Sequence, residues 1–410
     1  MKEKIALFVG SLQGGGAERA MLDIGRGLAQ RGFAVDLVLM RPTGAYLEDV
    51  PDSVQVFALN THGIAATLPA LLNYLRRRRP RVLLSTLNTC NVAALLAGVQ
   101  LRRQLPVIVR QAVHFSRSYA TRPWRGRLWL AIERQLWRFA DVVVTNSCAV
   151  AADLKRIAPG ISPRVRVIYN PVVWPGLPAR ATEPVDHAWL RDDEVPVVLA
   201  AGRLHPNKDH GTLLEAFALV AGERTARLVI IGEGMERDRL LARSRELGIA
   251  GKVELPGFQR NPFPWMARAR VFVLSSIVEG APNVLVQAMA CGTTVVSTDC
   301  PGGAREILGD GAWGALTPVG DHAALAAAIS EAMDNPMAPD ELVRRASDFS
   351  AESSISGYED AIAVVLNRSQ PDAGPVGATA EEDPAKLNSN FGMANETSKR
   401  LCRVAPTEPR

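Results

Sequence analysis

No apolar run in the chain reaches the ~18–20 residues that a bilayer-spanning helix needs, which argues against a helical membrane protein. Cysteine is scarce: the 410 residues hold five, with no C-x-x-C pair and no metal-ligand spacing. They read as reduced thiols of a cytoplasmic protein, acting as small buried hydrophobes. Charge is not strongly one-sided either, since 47 Lys and Arg against 42 Asp and Glu leave a formal +5. A nucleic-acid binder concentrates its basic groups more strongly. No nucleic acid is therefore an expected partner, whereas an anionic small substrate or a membrane surface fits. The N-terminus MKEKIALFVGSLQGGG looks superficially like a secretory signal. Glu3, the shortness of the apolar run and the strand-turn-helix grammar behind it argue against that reading.

The length exceeds the comfortable size of one hydrophobic core and points to two domains. Short strand-like runs alternate with helical patterns: IALFVG, AVDLVLM, RVLLST, PVIVRQ, DVVVTN and VRVIYN in the first half. Between them lie stretches such as AERAMLDIGRGLAQR, apolar at three- and four-residue spacing. Such alternation implies βαβ units and a parallel sheet covered on both faces. A proline-rich, charged stretch from Asn170-Pro171 reads as a linker. A second series follows: VPVVLAAGR, ARLVIIG, KVELPG, RVFVLSS and TTVVSTD. The expectation is an α/β protein of two Rossmann-like, doubly wound domains, 1–180 and 181–366, facing each other across a cleft. The last helix could pack back on the first domain. The segment 367–410 loses its apolar period and is expected to be a disordered tail.

The most informative stretch is SSIVEGAPNVLVQAMACGTTVVSTDCPGGAREIL. A strand ends at Ser275-Ser276, a loop carries Glu279 and Gly280, and a helix starts near Pro282-Asn283, proline suiting its first turn. The first-turn amides of Asn283, Val284 and Leu285 lack intrahelical partners and carry the positive end of the helix dipole. They form a site for a diphosphate, beyond the carboxyl end of a strand where open α/β sheets bind ligands. Glu279 and Gln287 flank this helix start within ~12 Å if the span is helical, so both can reach one hydroxyl-rich ligand. In AAGRLHPNKDHGTLLEAF, Arg203 and Lys208 sit on a loop after a strand, placed to neutralise charge on a leaving group.

These segments resemble family 4 retaining glycosyltransferases of the GT-B fold, also described as glycosyl transferases group 1. That family carries glutamates at either end of an E-x7-E motif and an arginine and lysine in a G-R-x4-K-x loop. The resemblance implies that Glu279 lies near the transferred sugar and that Arg203 and Lys208 hold the diphosphate. The second motif position, which binds ribose hydroxyls in the family, is Gln287 here and brings no charge. IIGEGMERDRL and KVELPGFQRN match later landmarks, so that the turn at Gly232–Gly234 and the backbone at Gly257-Phe258 border the nucleobase. Read alone, GEG is weak and Phe258 reads equally as a core residue. The resemblance covers roughly residues 4–366.

In GSLQGGGAERAMLDIG, Gly14, Gly15 and Gly16 let the backbone approach a ligand or simply serve the turn. The resemblance puts Gly15 and Gly16 near the donor phosphates. It also puts His114, just past a strand in VIVRQAVHFSRS, near the acceptor, although a lone histidine is often structural. Arg76 to Arg79 end one helix. SRSYATRPWRGRLWLAIERQLWRF interleaves Trp124, Trp129 and Trp137 with arginines, which suits either a membrane interface or a helix core face.

The expected activity is transfer of a hexose-type sugar from a nucleoside-diphosphate sugar, a UDP-sugar favoured, to an acceptor hydroxyl. The resemblance implies retention of configuration, no cofactor and no metal. It also implies a glycan or lipid-linked acceptor in polysaccharide assembly, in the cytoplasm or at the cytoplasmic face of the inner membrane. A GT-B nucleotide-sugar epimerase would share the donor site but release free nucleotide without an acceptor. A non-catalytic nucleotide-sugar-binding protein would draw support from Gln287. A dinucleotide oxidoreductase fits poorly, because GGG and GEG both miss the GxGxxG spacing.

Overall fold

The computed structural model describes residues 3–101, 104–118, 123–191 and 194–368, and the expected tail lies outside them from position 369 on. Contacts divide the chain into Met1–Pro171 with the helix Ala351–Arg368, and Val172–Ser350.

The first unit holds seven strands: β1 (Lys4–Val9), β2 (Ala34–Leu39), β3 (Val54–Ala58), β4 (Val82–Thr86), β5 (Val107–Gln111), β6 (Val142–Thr145) and β7 (Val165–Val167). All pair in parallel, in the order β3-β2-β1-β4-β5-β6-β7. The central strands are apolar throughout because helices cover both faces of a parallel sheet, and β4 and β5 are buried at every position. One face of the core takes Tyr358, Ile362 and Val365 from the helix Ala351–Arg368, beside Ile5, Met21 and Ile24. That helix is tied to Arg31 through Glu352 and Glu359.

The second unit holds β8 (Val197–Ala201), β9 (Arg227–Ile231), β10 (Val253–Gly257), β11 (Val271–Leu274), β12 (Thr294–Thr298) and β13 (Ala315–Thr317). Their order is β10-β9-β8-β11-β12-β13, again all parallel. The chain walks outward from β8 to β10, then returns to lay β11 on the other side of β8. The direction of winding therefore reverses between β8 and β11, where Val271 pairs with Val198. Loops leaving these two strands diverge from a common crevice, the usual ligand position in such sheets.

Three features depart from the sequence reading. The proline-rich stretch after Pro171 is packed on the second unit rather than running free. Leu177 is buried, Trp174 meets Phe263 edge-on at 6.4 Å, and His187 contacts Glu254 at 2.6 Å. Those apolar anchors outweigh the prolines around them. Edge strands β3 and β13 carry no strong apolar run; in β3 only Val54 is buried. Finally, Cys90, Cys291 and Cys300 are free thiols, but Cys148 is disulfide-bonded. Close spacing such as C-x-x-C reveals only local pairs, so sequence could not anticipate that bond.

Candidate active site

The reversal between β8 and β11 brings two loops together. The β8 loop turns at Pro206–Lys208, where His205 Nδ1 accepts from the Asn207 amide at 3.2 Å. It then enters the helix His210–Glu223, capped by Asp209, which accepts from the Thr212 amide and hydroxyl. Two bonds stitch this loop to the one after β11: the Ile277 amide donates to the Asn207 carbonyl at 2.9 Å, and Ser275 Oγ donates to the Lys208 carbonyl at 2.8 Å. As a result Lys208 Nζ lies 2.5 Å from Glu279 Oε1, and Ser276 Oγ donates to the same oxygen at 2.6 Å. Ser276 is itself held, because Thr298 Oγ1 donates to its carbonyl at 2.6 Å. Arg203, on the same loop as Lys208, is exposed and makes no ion pair among the described residues.

Glu279 is anchored from the β12 side as well. Its amide donates to the Pro301 carbonyl at 3.0 Å, and the Gly303 amide donates to the Gly280 carbonyl at 2.8 Å. Gly302 has φ +134°, and a Cβ there would fall 2.2 Å from the Glu279 carbonyl oxygen. Only glycine lets the two backbones meet so closely.

Behind this loop starts the helix Asn283–Ala290, whose N-cap Pro282 supplies no side-chain cap. That cap residue has no side-chain oxygen to offer the first turn, where Ser, Thr or Asp would usually supply one. The Leu285 amide is already engaged, donating to the Pro282 carbonyl at 3.1 Å, and the Leu285 side chain is fully buried. Of the three amides expected to take a diphosphate, that of Leu285 is therefore already used at the helix start. Gln287 is half-buried, and its side chain makes no hydrogen bond among the described residues.

The β9 and β10 loops close against the β8 loop. The Gly202 amide donates to the Ile231 carbonyl, the Gly232 amide to the Gly257 carbonyl, and the Leu204 amide to the Glu233 carbonyl, all within 3.0 Å. A Cβ on Gly234 would lie 2.2 Å from the Leu204 carbonyl oxygen. Phe258, following β10, is 42% exposed and is therefore no core residue.

Two buried titratable groups border Lys208 and Glu279. Burial, helped by the Lys208 charge and partly offset by the Arg203 backbone, pushes the His210 imidazole down to about 4. It stays neutral near pH 7 and adds no third positive charge. Burial, reinforced by Glu279, pushes the Cys300 thiol up to about 12.

In the first unit, Gly15 caps the helix Gly16–Gln30 with no side-chain bond, and Gly14 has φ +100°. His114 follows β5. Its Nδ1 lies 3.2 Å from Asp153, a buried carboxylate that also accepts from Ser116 Oγ at 2.7 Å and from Arg156 at 2.8 Å. The aromatic stretch splits: Trp137 is core, its ring tilted against that of Phe115 with centroids 4.5 Å apart, while Trp129 is 40% exposed. The Trp124 side chain lies outside those described.

The family described as Glycosyltransferase Family 4 matches residues 14–173, and that described as Glycosyl transferases group 1 matches residues 195–335. A Campylobacter jejuni protein named N-acetylgalactosamine-N,N'-diacetylbacillosaminyl-diphospho-undecaprenol 4-alpha-N-acetylgalactosaminyltransferase is 30% identical, over 77% of this chain and 86% of its own length. The chain belongs to the family 4 glycosyltransferases. The lipopolysaccharide core biosynthesis glycosyltransferase LpsE of Rhizobium meliloti is 29% identical over 77% of this chain and 85% of its own length. Among solved structures, sucrose-phosphate synthase of Thermosynechococcus elongatus matches with a TM-score of 0.75 at 20% identity, over 90% of this chain and 100% of its own. Anabaena HepE in complex with UDP matches at 0.71 and 23% identity, over 88% of this chain and 100% of its own. With the two parallel sheets, these likenesses give the glycosyltransferase its GT-B fold.

Among the residues singled out from sequence, Lys208 and Glu279 touch, Arg203 shares the Lys208 loop, and Asn283, Val284 and Gln287 lie along the helix behind Glu279. Gly234 and Phe258 lie on neighbouring loops of the same glycosyltransferase unit. Gly15, Gly16 and His114 belong to the other unit, so the Lys208–Glu279 cluster is built without them. The sequence reading missed the supporting groups: Ser275, Ser276, Thr298 and Gly302 around Glu279, and Asp153 behind His114. Ser275-Ser276 marked a strand end in sequence, but nothing local says which carboxylate a hydroxyl will meet.

Proposed function

We propose that this glycosyltransferase moves a sugar from a nucleoside-diphosphate sugar, with a UDP-sugar favoured, to an acceptor hydroxyl on a lipid-linked or lipopolysaccharide-type glycan, with retention of configuration and without a metal. The observation that carries the proposal is the Lys208–Glu279 contact at the β8/β11 reversal, a few residues before the helix Asn283–Ala290 begins. Arg203, Lys208 and the amides of Asn283 and Val284 would hold the diphosphate and neutralise the charge that grows on it as the sugar leaves. Glu279 would orient the sugar, Gln287 would hydrogen-bond the ribose, and Gly234 and Phe258 would border the base. The acceptor oxygen attacks the anomeric carbon as its bond to the phosphate breaks, and the acceptor proton passes to the departing phosphate oxygen. Two cationic side chains at the diphosphate are the reason to expect that no metal is needed, so EDTA should leave turnover unchanged.

UDP as the nucleotide draws support from the UDP and UDP-glucose complexes of Anabaena HepE. A lipid-linked acceptor draws support from the undecaprenol-linked substrate in the Campylobacter relative's name. His114, oriented by Asp153, is proposed to serve the acceptor. Exposed Arg76, Arg77 and Arg79, with Trp129, suit docking to an anionic membrane surface. Flotation with anionic liposomes tests that part, and protein that stays wholly at the bottom of the gradient would refute it.

The donor proposal is tested by a thermal-shift panel of UDP, GDP, ADP and their sugars. Ligand at ~100 times its Kd stabilises by ~2.7 kcal/mol, so a shift with UDP and UDP-sugars is expected. No shift with any nucleotide would overturn the reading.

A further inference from the structure

One oxygen of the Glu279 carboxylate is saturated and the other is not. Lys208 Nζ and Ser276 Oγ both donate to Oε1, at 2.5 and 2.6 Å, and no partner among the described residues reaches Oε2. The carboxylate is 13% exposed, so it is neither fully hydrated nor withdrawn. Charges at this point of the sheet are few. Arg203 has no ion pair among the described residues, Asp209 is turned to Thr212, and His210 is neutral. Of the two cations on the β8 loop, Lys208 is already paired with Glu279 before a diphosphate arrives.

The donor and the nucleotide product differ in charge. Transfer breaks the bond from the anomeric carbon to the diphosphate oxygen, forms the bond to the acceptor oxygen, and moves the acceptor proton to the released phosphate. A terminal phosphate has a second pKa of about 6, so near neutral pH that proton goes on to solvent. The product thus carries about one negative charge more than the donor, placed on the oxygen that had held the sugar. A carboxylate close to that oxygen disfavours the extra charge. With the sugar still attached, the same carboxylate offers Oε2 as a hydrogen-bond acceptor for a hydroxyl.

We infer that Glu279 makes the enzyme discriminate between nucleotide sugar and nucleotide product: its Oε2 favours the sugar-bearing donor, while its charge, held in place by Lys208 and Ser276, opposes the free nucleoside diphosphate and speeds its release. This rests on the donor-site reading above. The Lys208 contact sharpens the effect, because a lysine shared with Glu279 gives only part of its charge to the phosphates.

Isothermal titration with UDP, UDP-glucose and UDP-N-acetylgalactosamine tests the inference on the full chain, with Glu279→Gln and Glu279→Ala as variants. Either variant should bind UDP about tenfold more tightly than the unmodified enzyme. The better-bound UDP-sugar should gain little or lose affinity, so the preference for donor over product falls. UDP should also become a stronger product inhibitor of whatever turnover remains. Unchanged or weaker UDP binding in both variants, with melting temperatures showing them folded, would overturn the inference. A wild-type enzyme that binds none of these nucleotides would instead overturn the donor-site reading itself.

Discussion

His210 shows how one buried side chain can couple the donor loop to pH. Its unfolded imidazole titrates at the ordinary 6.5 and its folded one at about 4, the shift coming first from burial and then from Lys208. Between those values the unfolded chain binds more protons, so stability falls as pH drops from 6.5 towards 4. The slope from this group is on the order of 1 kcal/mol per pH unit. Urea melts at pH 7, 5.5 and 4.5 should show His210→Asn losing less stability on acidification than the unmodified protein. An equal loss in both would remove His210 as a contributor. Lys208 calls for a kinetic test: Lys208→Ala should lower kcat by ~10²–10³, the usual cost of removing a group that stabilises developing charge. Near-normal turnover would exclude Lys208 from the reaction. The sequence singled out Arg203, Lys208 and Glu279 by residue type, and the structure adds that Lys208 and Glu279 touch. Ser276 and Asp153 were not singled out, because a hydroxyl or carboxylate that merely supports another group can sit anywhere the fold brings it close.

At the level of elements, the proposed donor site is a set of strand-end loops locked together through glycines. Gly232 has φ +136°, and a Cβ there would fall 1.9 Å from the Gly202 carbonyl oxygen. Gly232→Ala should therefore part the β8 and β9 loops and cost ~1–3 kcal/mol through backbone strain alone. Differential scanning calorimetry would register that as a fall in Tm of several degrees. An unchanged Tm would mean the loops can separate freely. The central strands, buried on both faces, were legible as apolar runs, and so were two edge strands, β7 and β10, whose segments VRVIYN and KVELPG keep apolar residues. The other two edges, β3 and β13, were not read: three of the five β3 positions are exposed and β13 is only three residues long, so neither presents a buried apolar run. The stretch after Pro171 was misleading for the opposite reason: its prolines suggest a free linker, but Trp174 and Leu177 find partners only in the folded second unit.

For the whole molecule, the two units differ in how the chain completes them. One core cluster packed on β8–β13 is built, among the described residues, from side chains between Val198 and Met333, and Leu177, Leu342 and Phe349 of the same unit are buried as well. Residues 172–350 expressed alone should accordingly fold, giving a cooperative melt and a monodisperse size-exclusion peak; a molten or aggregated product would contradict that. Residues 1–171 lack the helix Ala351–Arg368, which supplies Tyr358, Ile362 and Val365 to the first core. Without it a large apolar face is exposed, and that fragment should aggregate unless the helix is supplied. Sequence by itself determined the class of the protein: the βαβ alternation dictates parallel sheets, and the motifs around 203–208 and 279–287 carry the resemblance to the family that the chain belongs to. Tertiary structure alone decided which groups meet. Lys208 and Glu279 are 71 positions apart, and only the reversal of strand order puts their loops side by side. That contact, with its saturated Oε1 and open Oε2, depends on long-range geometry that no local pattern encodes.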